Sequence, residues 1–231
     1  MDSERILNDR QKEQLKVLKE IFSQQQEMYD KKTHRIDHRI VSVHQPWVRP
    51  IVRGKQVANT EFGAKIATSL EDGYSRIEHF SWEAFNEAKT LQQSCERYRE
   101  RHSYYPERIL ADKIYRNRDN LRYCKEHGIR MNGPKLGRPP KDKELYEEQK
   151  RLERIESRER NAIEGKYGEA KTRYGLNRVM TSRSDTSETD IYLVFVVMNL
   201  KKRLRDLFVF FFCRRQLSFS QPSLRLAYVE Q

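Results

Sequence analysis

The sequence predicts an α/β fold with a mixed sheet, preceded by a helical arm. Three observations carry that prediction. Glu71-Asp72-Gly73 lies between two short alternating runs, residues 62–69 and 74–81. The apolar run Arg108-Ile-Leu-Ala-Asp112 ends in a carboxylate. The charged segment of residues 2–31 carries apolar residues mostly at helical spacing, which is the pattern of a long amphipathic helix.

Taken in order, residues 2–31 place Ile6, Leu7, Leu15, Leu18, Ile21, Phe22 and Met28 mostly at helical spacing among Gln, Glu and Lys, which predicts one long helix within an arm spanning residues 1–38. Arg39-Ile-Val-Ser-Val is short and β-branched and predicts a strand, and Pro46 and Pro50 predict an irregular connection after it. Asp-Gly supplies the positive φ of a tight turn, so residues 62–69 and 74–81 should pair as an antiparallel hairpin. Residues 84–102 read as a helix that Tyr104-Tyr105-Pro106 stops, and 108–112 reads as the central strand. Asn117 should cap a helix ending at Glu126, with Gly128 just beyond it. Gly133-Pro-Lys-Leu-Gly-Arg-Pro-Pro-Lys141 predicts a basic loop. A charged helix should run from Asp142 to about Tyr174. A last helix over residues 190–208, capped by Thr189 or Asp190, should pack on the sheet. Residues 209–231 form a divergent tail with an irregular Ser/Leu-rich end.

Composition narrows the function. With 231 residues, 35% charged and a mean hydropathy of −0.96, much of the chain must be solvated. The longest apolar run, residues 191–198, falls far short of a membrane span of about 18 or more residues. No signal peptide is expected behind Met1-Asp2-Ser3-Glu4-Arg5, and a reducing cytoplasm is the expected compartment. Cys95, Cys124 and Cys213 are too widely spaced for a disulfide scaffold or a Cys-based zinc module. The net charge of +12 and a pI near 9.6 point to a polyanion. Nine Lys or Arg against Asp119 and Glu126 give residues 113–141 a net +7 in 29 positions, so the excess is concentrated where phosphates could be contacted.

Strand, strand, helix, a strand ending in Asp and a late acidic helix resemble in outline an RNase H-like domain. There a strand-end Asp and a helical Glu would meet at the sheet edge. Asp112 is the strand-end candidate, because such side chains point into the crevice outside a sheet; it could equally cap the turn that follows. On the late helix Arg160, Glu164 and Lys171 fall within an arc of about 40°. That face suits a metal-binding Glu flanked by phosphate-gripping cations, although such Arg and Glu spacing also occurs as ordinary helix-surface pairing. His34 and His38, four apart, could share a helix face, but they lack a third ligand and read as structural or phosphate-contacting rather than zinc-binding.

These residues carry a resemblance. Ala111-Asp112-Lys113 with Tyr115, the loop from Gly133 to Lys141, Arg160-Asn-Ala-Ile-Glu164 through Lys171, and Gly175-Leu-Asn-Arg178 look like the C-terminal half of DDE transposases of bacterial insertion sequences. The upstream stretch from Arg39 through Arg49-Pro-Ile-Val-Arg-Gly-Lys55 to Glu61-Phe-Gly-Ala-Lys65 is also similar, so the resemblance covers roughly residues 24–208, with residues 39–208 as the domain. In that family the catalytic helix carries Tyr-x2-Arg-x3-Glu-x6-Lys, which lands on Arg160, Glu164 and Lys171, with Ser157 in place of the Tyr.

The resemblance implies DNA strand cleavage and joining by metal-dependent phosphodiester transfer. It implies Mg²⁺ or Mn²⁺ on Asp112 and Glu164, Arg160 and Lys171 assisting, and Lys113, Arg116, Arg138 and Arg178 on the DNA backbone. Its partners would be double-stranded DNA, as transposon ends and target, and further copies in a homo-oligomer near the nucleoid, with no membrane. The family needs three carboxylates. Asp112 and Glu164 match the second and third with 51 residues between them, whereas Asp30, Asp37 and Asp72 lack the strand context of the first. A truncated, inactive transposase is therefore expected, and the competing reading is a non-catalytic DNA-binding remnant or interaction protein. A purely helical charged scaffold is a third reading, and it fails if the hairpin exists.

Overall fold

A computed structural model of the chain describes residues 7–52, 60–133 and 142–219, with side chains for all of them except Val52 and residues 213–219. The loop of residues 134–141, with Arg138, therefore lies outside the described residues.

The first helix, α1 (Asp9–Asp30), starts at a capping box in which Asn8 Oδ1 accepts the Gln11 N–H and Gln11 Oε1 accepts the Asn8 N–H. It buries only Met28. The extended segment after it is not the strand expected at residues 39–43. The Ile40 N–H donates to Gln24 Oε1 at 2.9 Å, so the side chain of α1 takes a group that a ladder would need. The strand forms instead at β1 (Arg49–Val52), paired antiparallel with β2 (Thr60–Gly63). Pro50 is tolerated there because a two-stranded sheet consists only of edges. His34 and His38 lie beyond the end of α1 and share no helix face; His38 has φ 52° and its Nδ1 lies 3.1 Å from Glu83 Oε1.

The hairpin is present as β3 (Lys65–Glu71) and β4 (Tyr74–Ser81), joined at Asp72-Gly73 with φ of 49° and 81°. Two positive φ values in a two-residue turn match the right-handed twist of the strands. The purely helical reading is thereby excluded. Phe62 and Gly63, expected in the hairpin, belong to β2, and Gly63 at φ 142° turns the chain between the two pairs. A register shift after Ala67 directs Glu78 inward, where Ser69 Oγ donates to it at 2.6 Å and Arg97 and Arg101 lie within salt-bridge distance.

Asn86 caps a 3₁₀ turn (Glu87–Thr90), so α2 runs from Leu91 to His102 rather than from residue 84. The central strand is shorter than expected: β5 (Arg108–Ile109) ends because the Ala111 N–H turns to Asn132 Oδ1 and Asp112 caps a 3₁₀ turn (Lys113–Tyr115). After it come α3 (Arg118–Glu126), capped by Asn117 and followed by Gly128 at φ 68°, and β6 (Arg130–Met131), parallel to β5. Leu91 and Cys95 of α2 form a buried core with Cys124 and Ile129 of the β5–α3–β6 unit, with Tyr105, Tyr115 and Tyr123 packed around it. Burial pushes the Cys95 thiol and the Tyr115 phenol up to about 12, so both stay neutral packing groups.

The last two helices are α4 (Lys143–Arg173), capped by Asp142, and α5 (Ser184–Phe219). The latter begins before the expected start, so Thr189 lies inside it, bonding back to the Asp185 carbonyl, and it extends well past residue 208 into the segment expected to be a tail. As expected, α5 packs on the hairpin: Ile191, Phe195 and Met198 are buried, and Asn199 accepts the Ser75 N–H and donates to the Ser75 carbonyl. The strands pair as three separate two-stranded sheets among the described residues, not as one mixed sheet. The architecture is nevertheless mixed α/β, and no helix among the described residues is long and apolar enough to cross a membrane.

Candidate functional site

The site lies where the end of β5 faces α4. Asp112 follows β5, and its carboxylate accepts the Lys113 N–H at 2.7 Å as the cap of the 3₁₀ turn. The capping role open from the sequence is thus real, but it leaves lone pairs for a second partner. That partner is Arg160 on α4, whose Nη1 donates to the same Asp112 Oδ1 at 2.9 Å. Two residues 48 positions apart, each singled out from the sequence, are in direct contact.

Two further ion pairs hold α4 against the βαβ unit. Arg130 of β6 bonds Glu156, which is buried, and Arg108 of β5 meets Glu159 at 2.8 Å. Glu156, Glu159 and Arg160 share one helix face by their spacing, and each engages a different part of the strand pair. Sequence reading missed Arg108, Arg130, Glu156 and Glu159. The helical spacing of the two glutamates was visible, but their partners depend on which way two very short strands face.

Glu164 is one helical turn beyond Arg160, on the same face, and exposed to solvent. Lys171 lies two turns further on and is exposed, as are Lys113 and Arg178. Arg116 is placed differently: its guanidinium donates to the Asn132 carbonyl and lies against Gly133, so it secures the end of β6. Farther along α4, Tyr167 accepts a hydrogen bond from Thr68 Oγ1 at 3.0 Å and donates to the Ile66 carbonyl, which ties the helix to the hairpin.

Asp112 and Glu164 supply two carboxylates. Among the described residues no third His, Cys, Asp or Glu joins them in a group able to hold a metal ion. The donor set for the Mg²⁺ or Mn²⁺ that the resemblance implies is therefore incomplete in this part of the chain, and Arg160 already engages one of its members.

No curated protein and no solved structure matches the chain. A family model described as the transposase DDE domain matches residues 109–201, which run from the last residue of β5 through α3, β6 and α4 into the first half of α5. The matched stretch, similar to a transposase DDE domain, contains both Asp112 and Glu164.

Proposed function

We propose that this chain binds duplex DNA through its phosphate backbone, using the remnant of an RNase H-like strand-transfer site, and does not by itself cleave or join strands. The observation that carries this reading is the Arg160–Asp112 hydrogen bond. It unites the two motif segments that the family chemistry needs and orients the face bearing Glu164 and Lys171. The parallel β5–β6 pair with its α3 crossover, followed by an acidic helix, supports the RNase H-like derivation.

Lys113, Lys171 and Arg178 are exposed and belong to a strongly basic chain, so contact with phosphate oxygens is their natural role. Such binding carries little sequence information and weakens with salt. Arg160 orients α4 and holds the Asp112 carboxylate. With two carboxylates in place of three, a divalent ion would be held loosely, and losing one member of a catalytic unit commonly costs orders of magnitude in rate.

The test has two arms. Titration of duplex DNA at rising salt should give an affinity that falls steeply, with a log–log slope of roughly −3 for about three phosphate contacts; an affinity that hardly changes would remove the electrostatic account. A cleavage assay on the element's end sequences with Mg²⁺ or Mn²⁺ should show no strand transfer. Robust cleavage abolished by both Asp112→Ala and Glu164→Ala would show a complete site and overturn the inactive reading, with Asp37 and Asp72 the first residues to examine for the missing ligand.

A further inference from the structure

Helix α5 has two apolar faces, and among the described residues only one is covered. Ile191, Phe195, Met198, Asn199, Lys202 and Asp206 meet the hairpin or α4: the first three are buried, Phe195 packs edge-on against Tyr167, and Lys202 and Asp206 engage Tyr74. Leu193, Val197, Leu200, Leu204, Leu207 and Phe211 follow one another at alternating steps of four and three residues, and all are between 44 and 64% exposed. That alternation is the a/d heptad pattern sustained over three heptads. The residues facing the hairpin fall at the b, c and f positions on the opposite side. A 3.5-residue repeat is not needed to pack a helix on a two-stranded hairpin. It is the repeat that lets two identical helices insert knobs into each other's holes.

We infer that α5 pairs with α5 of a second copy of this chain in a parallel two-stranded coiled coil along residues 193–211. Three physical features select this occupant. The seam is self-complementary, because each a or d residue meets its own counterpart across a two-fold axis. Together with the flanking Val196, Phe208 and Phe210, it would bury roughly 1,300 Å² over the pair, within the range of about 1,200–2,000 Å² for specific interfaces. The charges select the parallel direction. Antiparallel pairing centred on this stretch would set Lys201 beside Lys201 and Arg203 beside Arg203 of the two copies. Parallel pairing instead brings Arg203 over Phe208 of the other copy, an attractive cation–π arrangement. The inference rests on α5 alone and holds whether or not the chain binds DNA.

Sedimentation equilibrium of the full chain at tens of micromolar should give twice its 27.9 kDa mass. Leu200→Glu with Leu204→Glu should weaken dimerisation by about 100-fold or more while leaving the circular dichroism spectrum unchanged, since both side chains are exposed. Val209→Glu, at an outward f position, should remain dimeric. In a Cys213→Ser background, Leu207→Cys should form an intermolecular disulfide on mild oxidation, as parallel d positions face each other. A monomeric wild-type chain would overturn the inference, as would a dimer indifferent to the Leu200 and Leu204 substitutions. A dimer without the residue 207 cross-link would overturn the parallel arrangement. Co-sedimentation of monomer with phosphatidylcholine vesicles, lost in the double variant, would overturn the pairing by showing that the face meets lipid.

Discussion

The guanidinium of Arg160 donates to Asp112 Oδ1 at 2.9 Å, joining the middle of a 31-residue helix to the turn that follows a two-residue strand. Asp112 spends the same oxygen on its own capping bond to the Lys113 N–H, so one carboxylate both shapes the turn and anchors the helix. The pair is partly open to solvent, with side-chain exposures of 28% for Arg160 and 66% for Asp112. Its role is orientation more than stability.

A double-mutant cycle on Arg160→Gln and Asp112→Asn should therefore return a coupling below about 1 kcal/mol in urea unfolding, as for exposed pairs. A coupling of several kcal/mol would show that the pair is far more desolvated than its exposure indicates.

The Arg130–Glu156 pair should behave differently, because Glu156 is buried. Glu156→Ala removes the acceptor of a charged hydrogen bond, leaves a void beside Arg130 and loosens α4 from the βαβ unit. The expected loss is about 1–3 kcal/mol, held below the full cost of a buried pair because Arg130 is half-exposed and can rehydrate. Chemical denaturation monitored by circular dichroism measures it.

At the hairpin turn, Gly73→Ala should destabilise by about 1–2 kcal/mol, since an L side chain at φ 81° is strained and its Cβ would sit 2.6 Å from Lys202 Cε. Gly73→Asn should be milder, because Asn tolerates the left-handed region. Thermal unfolding of the two variants should rank them in that order, and the reverse order would refute the turn geometry.

On the other side of the core, Tyr123 donates to Glu96 Oε1 at 2.6 Å and Tyr105 donates at 3.0 Å. The hydrogen bond from Tyr123, then that from Tyr105 and the charge of Arg99, hold the Glu96 carboxyl below its usual value, while burial pushes the Tyr123 phenol up. A depressed carboxyl stabilises the fold above its unfolded pKa of about 4.3, and this contribution disappears as pH falls through the lower folded value. Tyr123→Phe should lower Tm near neutral pH by a few degrees, and the gap to wild type should narrow as the pH is taken below 4. A gap that stays constant through acid would show that the Glu96 hydrogen bond contributes nothing to the pH dependence.

What the sequence by itself determined was local. Asn117, Asp142 and Asn8 start helices because their side chains satisfy N–H groups a few residues on, and Asp72-Gly73 makes the turn because its backbone can adopt positive φ. Residue spacing likewise placed Arg160, Glu164 and Lys171 on one helix face. Strand position was decided elsewhere. The β-branched run at Arg39 to Val43 lost its place to Pro50 and its neighbours once Gln24 of α1 captured the Ile40 N–H, a contact across 16 residues. Asp112 ended beside Arg160, and Arg116 ended on the Asn132 carbonyl, because β5 and β6 pair in parallel and present their ends to α4. The sequence names the groups able to hydrogen-bond, but partners tens of residues apart are chosen only when the packed backbone brings one donor, and not another, within reach.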